Sequence, residues 1–166
     1  MKLEALLSKR GKEYFYIMHL SYEGSEREEL WNYGKKNNVI GLSKSIVNND
    51  WVKVGGSVKN SLSNTWIRQF DTFCNEMNAG DVVLVLKGWD SLLGVAEIKE
   101  RRHKYSKKLK GRKGPFFDHI RDVTWIKEHE FDARRRLPKP VKGFNNTLSK
   151  VTPNSKWWPI LVGLDI

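Results

Sequence analysis

Between Gly80 and Lys99 the chain reads GDVVLVLKGWDSLLGVAEIK. Val82 to Lys87 is a β-branched apolar run of the kind found in central strands. GWDS (Gly88 to Ser91) makes a tight turn, and LLGVAEIK (Leu92 to Lys99) returns beside it, so the segment predicts a buried β-hairpin. NAGD (Asn78 to Asp81) supplies the preceding turn and ends the clearest helix in the sequence, Asn64 to Met77. In that helix Trp66, Ile67, Phe70, Phe73, Cys74 and Met77 recur at helical spacing. An amphipathic helix feeding an apolar hairpin places the chain among α+β folds.

The remaining segments extend that frame. EYFYIMHL (Glu13 to Leu20) reads as a buried strand, SEREELWNYGKK (Ser25 to Lys36) as a short helix with acidic residues in its first turn, and NNVIGL (Asn37 to Leu42) as a second strand. Ser43 to Ser63 reads as a long irregular connection containing Trp51. Ile120 to Phe131 alternates as a half-exposed strand, and Arg134 to Asn146, with two prolines and a glycine, is a loop. NTLSKV is assigned a short helix, and WWPILVGL closes the chain with apolar residues. The total is five or six strands and two or three helices in a mainly antiparallel, curved or barrel-like sheet, all within one domain spanning residues 1–166.

The formal charge of +11 favours a polyanionic partner, and residues 99–113 alone hold nine Lys/Arg against one acid, Glu100, a net of +8. Cys74 is the only cysteine, which excludes an internal disulfide and fits a reducing cytoplasm. No apolar run reaches the roughly 20 residues needed to span a bilayer, so no membrane association is expected.

Enzymatic motifs are missing. The histidines at 19, 103, 119 and 129 show no HExxH or HxH spacing, and there is no GxSxG, no phosphate-binding GxxxxGK[ST] and no GxGxxG. No catalysis, metal or cofactor is expected. A metal-dependent nuclease would need clustered carboxylates, and Asp81, Glu97 and Lys99 do fall at one end of the hairpin, but Asp81 is more economically a turn residue. Aromatic residues interleaved with cations are the positive signal: bases stack on Trp, Tyr or Phe while Lys and Arg take phosphates. Trp31 and Trp66, on helix faces, and Trp125, on a strand, read as core. Trp89, at the hairpin tip, is open between packing and binding.

The order YFYIMHL, a helix with W-x-x-G, VIGL, an amphipathic helix, NAGDVVLVLKG, LLGVAEI and RDVTW resembles the EVE and YTH domains of the PUA-like superfamily, over nearly the whole chain. Such domains are small curved β-barrels flanked by helices that insert a modified base into an aromatic pocket. The GDVVLVLKG…GVAEI…RDVTW version is especially similar to the N-terminal specificity domains of McrB-type modification-dependent restriction systems.

That resemblance implies a reader of methylated double-stranded DNA, N6-methyladenine first and methylated cytosine second. It implies too that a GTP-driven motor and a nuclease subunit lie elsewhere, and the end after VGLDI fits a piece of a longer chain. Reading modified single-stranded RNA with the same fold is the alternative. Carried onto this sequence, the base pocket falls on His19, Ser21, Ile40, Gly41 and Leu42, with Trp51, Trp89, Tyr105, Phe116 and Asn145 as further contributors; Phe117 lies in the same loop as Tyr105 and Phe116. Phosphates fall to Lys104, Lys107, Lys108, Lys110, Arg112 and Lys113, with a second patch at Arg134, Arg135 and Arg136.

Overall fold

The computed structural model describes residues 1–20, 24–106, 117–132, 135–141 and 146–166. Six strands form one sheet: β1 (Phe15–His19), β2 (Val39–Leu42), β3 (Val82–Lys87), β4 (Ser91–Ile98), β6 (His119–Glu128) and β8 (Leu148–Val151), in the spatial order β2-β6-β4-β3-β1-β8. Two-residue strands β5 (Lys104–Tyr105) and β7 (Arg135–Arg136) add to β6 and β4. All pairings are antiparallel except β1 with β3, which run parallel with His19 opposite Leu86.

The sheet curls for identifiable reasons. Register shifts at Val85/Leu86 between β3 and β4, and at Val95/Ala96 between β4 and β6, bend those strands. β6 pairs with β2 through His119 to Asp122 and with β4 through Val123 to Glu128, so one strand carries the sheet round a corner.

Both faces are covered, which explains why β1 and β3 read as unbroken apolar runs. Tyr16, Met18, Val83 and Val85 point to the inner face. There they meet α2 (Gly24–Asn37), carrying Leu30 and Trp31, and α4 (Asn64–Asp71) with its π-type continuation Thr72–Glu76, carrying Phe70 and Phe73. Phe15, Ile17, Val82, Leu84 and Leu86 point to the outer face, against α1 (Leu3–Lys9) and the closing helix α5 (Trp158–Leu161). α1 has no counterpart among the sequence expectations, although Leu3, Leu6 and Leu7 have helical spacing and are buried.

Three further expectations change. The 43–63 connection holds a 3-10 turn (Trp51–Lys53) and a short helix, α3 (Gly56–Asn60). NTLSKV is a strand rather than a helix: Leu148 and Val151 are buried on opposite faces, and the segment satisfies the free edge of β1 from Phe15↔Val151 to Met18↔Leu148. The apolar C-terminal segment includes a helical turn. Among the described residues no helix is long and apolar enough to cross a membrane.

Candidate functional site

Where β1 ends, a narrow cavity with only about 10 Å³ of space open to water lies between the sheet and α2. Met18 and Leu20 come from the end of β1, Leu30, Trp31 and Gly34 from α2, Ile40 and Val39 from β2, Val85 from β3 and Trp125 from β6, with Phe117 across the remaining side. The lining is apolar, and the space is so narrow that it scarcely admits one water molecule.

Close backbone approaches create this geometry. A Cβ on Gly34 would meet the Val39 carbonyl at 2.9 Å, so glycine lets α2 settle on β2. Gly94 does the same for the aromatic floor: a Cβ there would meet Trp31 at 2.7 Å and Trp125 at 3.1 Å. Trp31 donates its indole N–H to the His129 carbonyl at 2.9 Å and stands edge-on to Trp125, with ring centroids 5.0 Å apart. Trp125 has a buried indole N–H with no partner among the described residues, an unusual state for a buried donor. Phe117 is seated on Gly41, where a Cβ would fall 2.1 Å from the Phe117 Cβ.

A second constellation centres on His119, at the start of β6 opposite Leu42 of β2. His119 is fully buried; its Nδ1 lies 2.8 Å from an Asp118 carboxylate oxygen, and its Nε2 accepts from the Trp51 N–H at 3.0 Å, which places the ring proton on Nδ1. His103 Nε2 lies 2.7 Å from Asp50 and its ring stacks near His119. Cys74, His103 and His119 bring one potential ligand atom each within 4.8 Å of one another. A cation could use His119 only by displacing Trp51 or Asp118, and burial pushes the Cys74 thiol pKa far up, away from the thiolate a metal needs. As they stand, His119 and His103 are each hydrogen-bonded to other groups and Cys74 is buried beside them. The three are far apart in the sequence, so no local spacing could announce them.

The residues singled out from the sequence divide accordingly. Ile40 lines the cavity and Gly41 carries Phe117, while Leu42 is buried in the core beside them. His19 ends β1, and burial, with a smaller contribution from the Arg27 charge, pushes its pKa down to about 4. Trp51 is core: it stacks on Phe70 at 4.9 Å and donates its indole N–H to Asp71 at 2.7 Å. Tyr105 packs on His119, away from the cavity lining. Trp89 stands exposed at the hairpin tip. Ser21, Phe116 and Asn145 lie outside the described residues.

Of the proposed phosphate contacts, Lys104 is ion-paired with Asp122, Arg135 binds Asp165 and its carbonyl, and Arg136 is exposed. Lys107, Lys108, Lys110, Arg112, Lys113 and Arg134 lie outside the described residues. Reading the sequence pointed to the stretch holding Leu20 and to the loop holding Phe117, but missed Met18, Leu30, Trp31, Val85 and Trp125 as lining residues, and Arg101 and Arg102 as exposed cations at the entry to the basic segment.

Asp81 and Glu97 are engaged structurally. Asp81 accepts from Lys12 at 2.6 Å, Tyr14 at 3.0 Å and the Asn78 N–H at 2.8 Å, and Glu97 is paired with Arg10 at 2.6 Å.

No curated protein matches the chain. Among solved structures it is similar to the YTH domain of the Zygosaccharomyces rouxii MRB1 protein in complex with N6-methyladenosine RNA, at 15% identity and a TM-score of 0.43, covering 83% of this chain and 78% of that one. The expectation of a methylated-DNA reader from a McrB-type system is not met by these comparisons: that domain is in complex with N6-methyladenosine RNA, and the matching family's description names no function. Residues 18–150 match a family described as a domain of unknown function (DUF8426), and the chain belongs to that family.

Proposed function

We propose that this protein is a binding module, not an enzyme, for single-stranded RNA, and that it seats one methylated base in the cavity between β1, α2 and β2. The observation that carries this reading is the cavity itself: an apolar, aromatic-walled recess lined in part by Trp125, whose indole N–H is buried without a partner among the described residues. An apolar wall favours a methyl group over a free amino hydrogen, since the methyl gains roughly 0.8 kcal/mol on burial and an unpaired amino group loses its water. The lone indole donor can meet a ring nitrogen or carbonyl on the base edge.

The cavity is too narrow for a base while Phe117 stays over Gly41, so Phe117 moves aside on binding. Exposing that ring costs about 2 kcal/mol, which stacking of the incoming base, worth about 1–3 kcal/mol, offsets. In the sequence Phe117 lies four residues after the basic run, whose net +8 between residues 99 and 113 suits it to phosphate contacts. A single strand can present its base without the unpairing that a duplex demands.

Fluorescence anisotropy at one salt concentration, with a short single-stranded RNA carrying adenine or N6-methyladenine at one position, tests this. The methylated strand should bind at least about fourfold more tightly. Equal affinity for the two strands, or tighter binding to duplex DNA of the same sequence, would overturn the reading.

A further inference from the structure

We infer that Trp89 is a second base-stacking site, which takes the nucleotide next to the one held in the cavity and so extends the single-stranded RNA reading given above. Trp89 is one of few large apolar side chains that are exposed among the described residues, at 49%. A lone exposed aromatic is ordinary on a protein surface. Three features set this one apart.

First, the turn that carries it is held rigidly. Gly88 adopts φ +64°, the Trp89 carbonyl accepts from the Val141 N–H at 2.8 Å, and the Asp90 carbonyl accepts from the Leu137 N–H at 2.6 Å. β7 pairs Arg136 with Ser91 on the same hairpin. An indole on a braced turn loses little freedom on binding, which is what a stacking platform requires.

Second, its surroundings are cationic. The segment that braces the turn contributes Arg136 and Lys139, both exposed. The acid of the turn, Asp90, is occupied by the Ser91 hydroxyl at 2.7 Å. An exposed ring among cations is the composition that grips single-stranded nucleic acid, ring for base and cation for phosphate.

Third, topology puts it within a short reach of the cavity. β1 and β3 are parallel and end together, with His19 opposite Leu86, and the Leu20 N–H donates to the Leu86 carbonyl at 3.3 Å. Leu20 lines the cavity, and Trp89 follows Leu86 by three residues, a span of at most about 11 Å. One strand of RNA can therefore reach both.

The test uses the full chain with Trp89→Ala and Trp89→Phe and the methylated and unmethylated RNA strands, together with a version lacking the base beside the methylated position. Trp89→Ala should weaken both strands about tenfold without changing their ratio, and Trp89→Phe should restore most of the loss. Removing the neighbouring base should weaken the wild type and leave Trp89→Ala unaffected. If Trp89→Ala binds as tightly as wild type, or if it alters the methylated-to-unmethylated ratio, the inference fails while the cavity reading stands. If wild type ignores the methyl group yet Trp89→Ala still weakens binding, the cavity reading fails and the platform stands. Absence of any RNA binding by the wild type overturns both.

Discussion

Phe117 rests on the bare backbone of Gly41, so closely that a methyl group on Gly41 would lie 2.1 Å from the Phe117 Cβ. Gly41 has no positive φ, so alanine would meet no backbone strain there, only this ring. Gly41→Ala should therefore cost about 1–3 kcal/mol through overpacking. Urea unfolding measures it, and Gly41→Ala combined with Phe117→Ala should be less destabilised than the sum of the two changes. Strict additivity would show that the ring and the glycine do not act together.

Arg121 is 1% exposed and spends its guanidinium on four backbone carbonyls: Phe73 at 2.6 Å, Cys74 at 3.3 Å, Glu100 at 3.1 Å and Arg101 at 2.9 Å. Burial lowers its pKa, yet the fork ties the end of the inner-face helix to the start of the basic segment. Arg121→Met should cost about 3 kcal/mol or more, because buried carbonyls lose their donors. Arg121→Lys should recover little, since a point ammonium cannot span both elements. Full rescue by lysine in urea unfolding would contradict this account.

The hairpin, the first strand and the amphipathic helix were legible in the sequence because each carries its own periodicity, and the apolar runs of β1 and β3 announced burial on both faces. β8 was not legible: LSKV has no strong pattern of its own, and it becomes a strand because β1 presents an unpaired edge at Phe15 to Met18. The site divided in the same way. Ile40 and Gly41 are neighbours along β2, and Leu20 and Phe117 lie in stretches the sequence singled out, whereas Trp31 and Trp125 come together only because β6 turns the corner of the sheet. Trp51 drew attention as an aromatic in an irregular stretch, but its indole and backbone N–H are both committed to the core.

Trp125 offers a separation of stability from binding. Its indole N–H is buried without a partner among the described residues, so Trp125→Phe removes an unsatisfied donor along with part of the ring. The two effects oppose, and stability should change by no more than about 1 kcal/mol. RNA affinity should fall about fivefold if that donor meets the base. Unchanged affinity would remove Trp125 from the recognition of the base edge.

His19 should make the fold acid-sensitive. Its pKa falls from 6.5 to about 4 on folding, chiefly through burial and then through the Arg27 charge. Between those values the unfolded chain binds more protons than the folded one, so stability is full above about pH 6.5 and is lost as pH falls toward 4. The loss attributable to this residue is about 3 kcal/mol at most. The wild-type urea midpoint should fall relative to that of His19→Gln as pH drops from 7 to 4, and parallel curves would assign the acid sensitivity to other groups.

Arg101 and Arg102 are exposed at the entrance to the basic segment, and the carbonyl of Arg101 is held by Arg121 at 2.9 Å, so their backbone is anchored while their charges face solvent. Cations of that kind bind phosphate by displacing counterions, and each contact contributes about 0.7 to the slope of log affinity against log salt for a single strand. Replacing both with alanine should flatten the slope by about 1.4 and weaken methylated and unmethylated RNA equally. Folding should be unaffected, because neither side chain is buried. A slope that stays unchanged while affinity falls would mean that these arginines act on the base or on the protein's own structure, not on the phosphates.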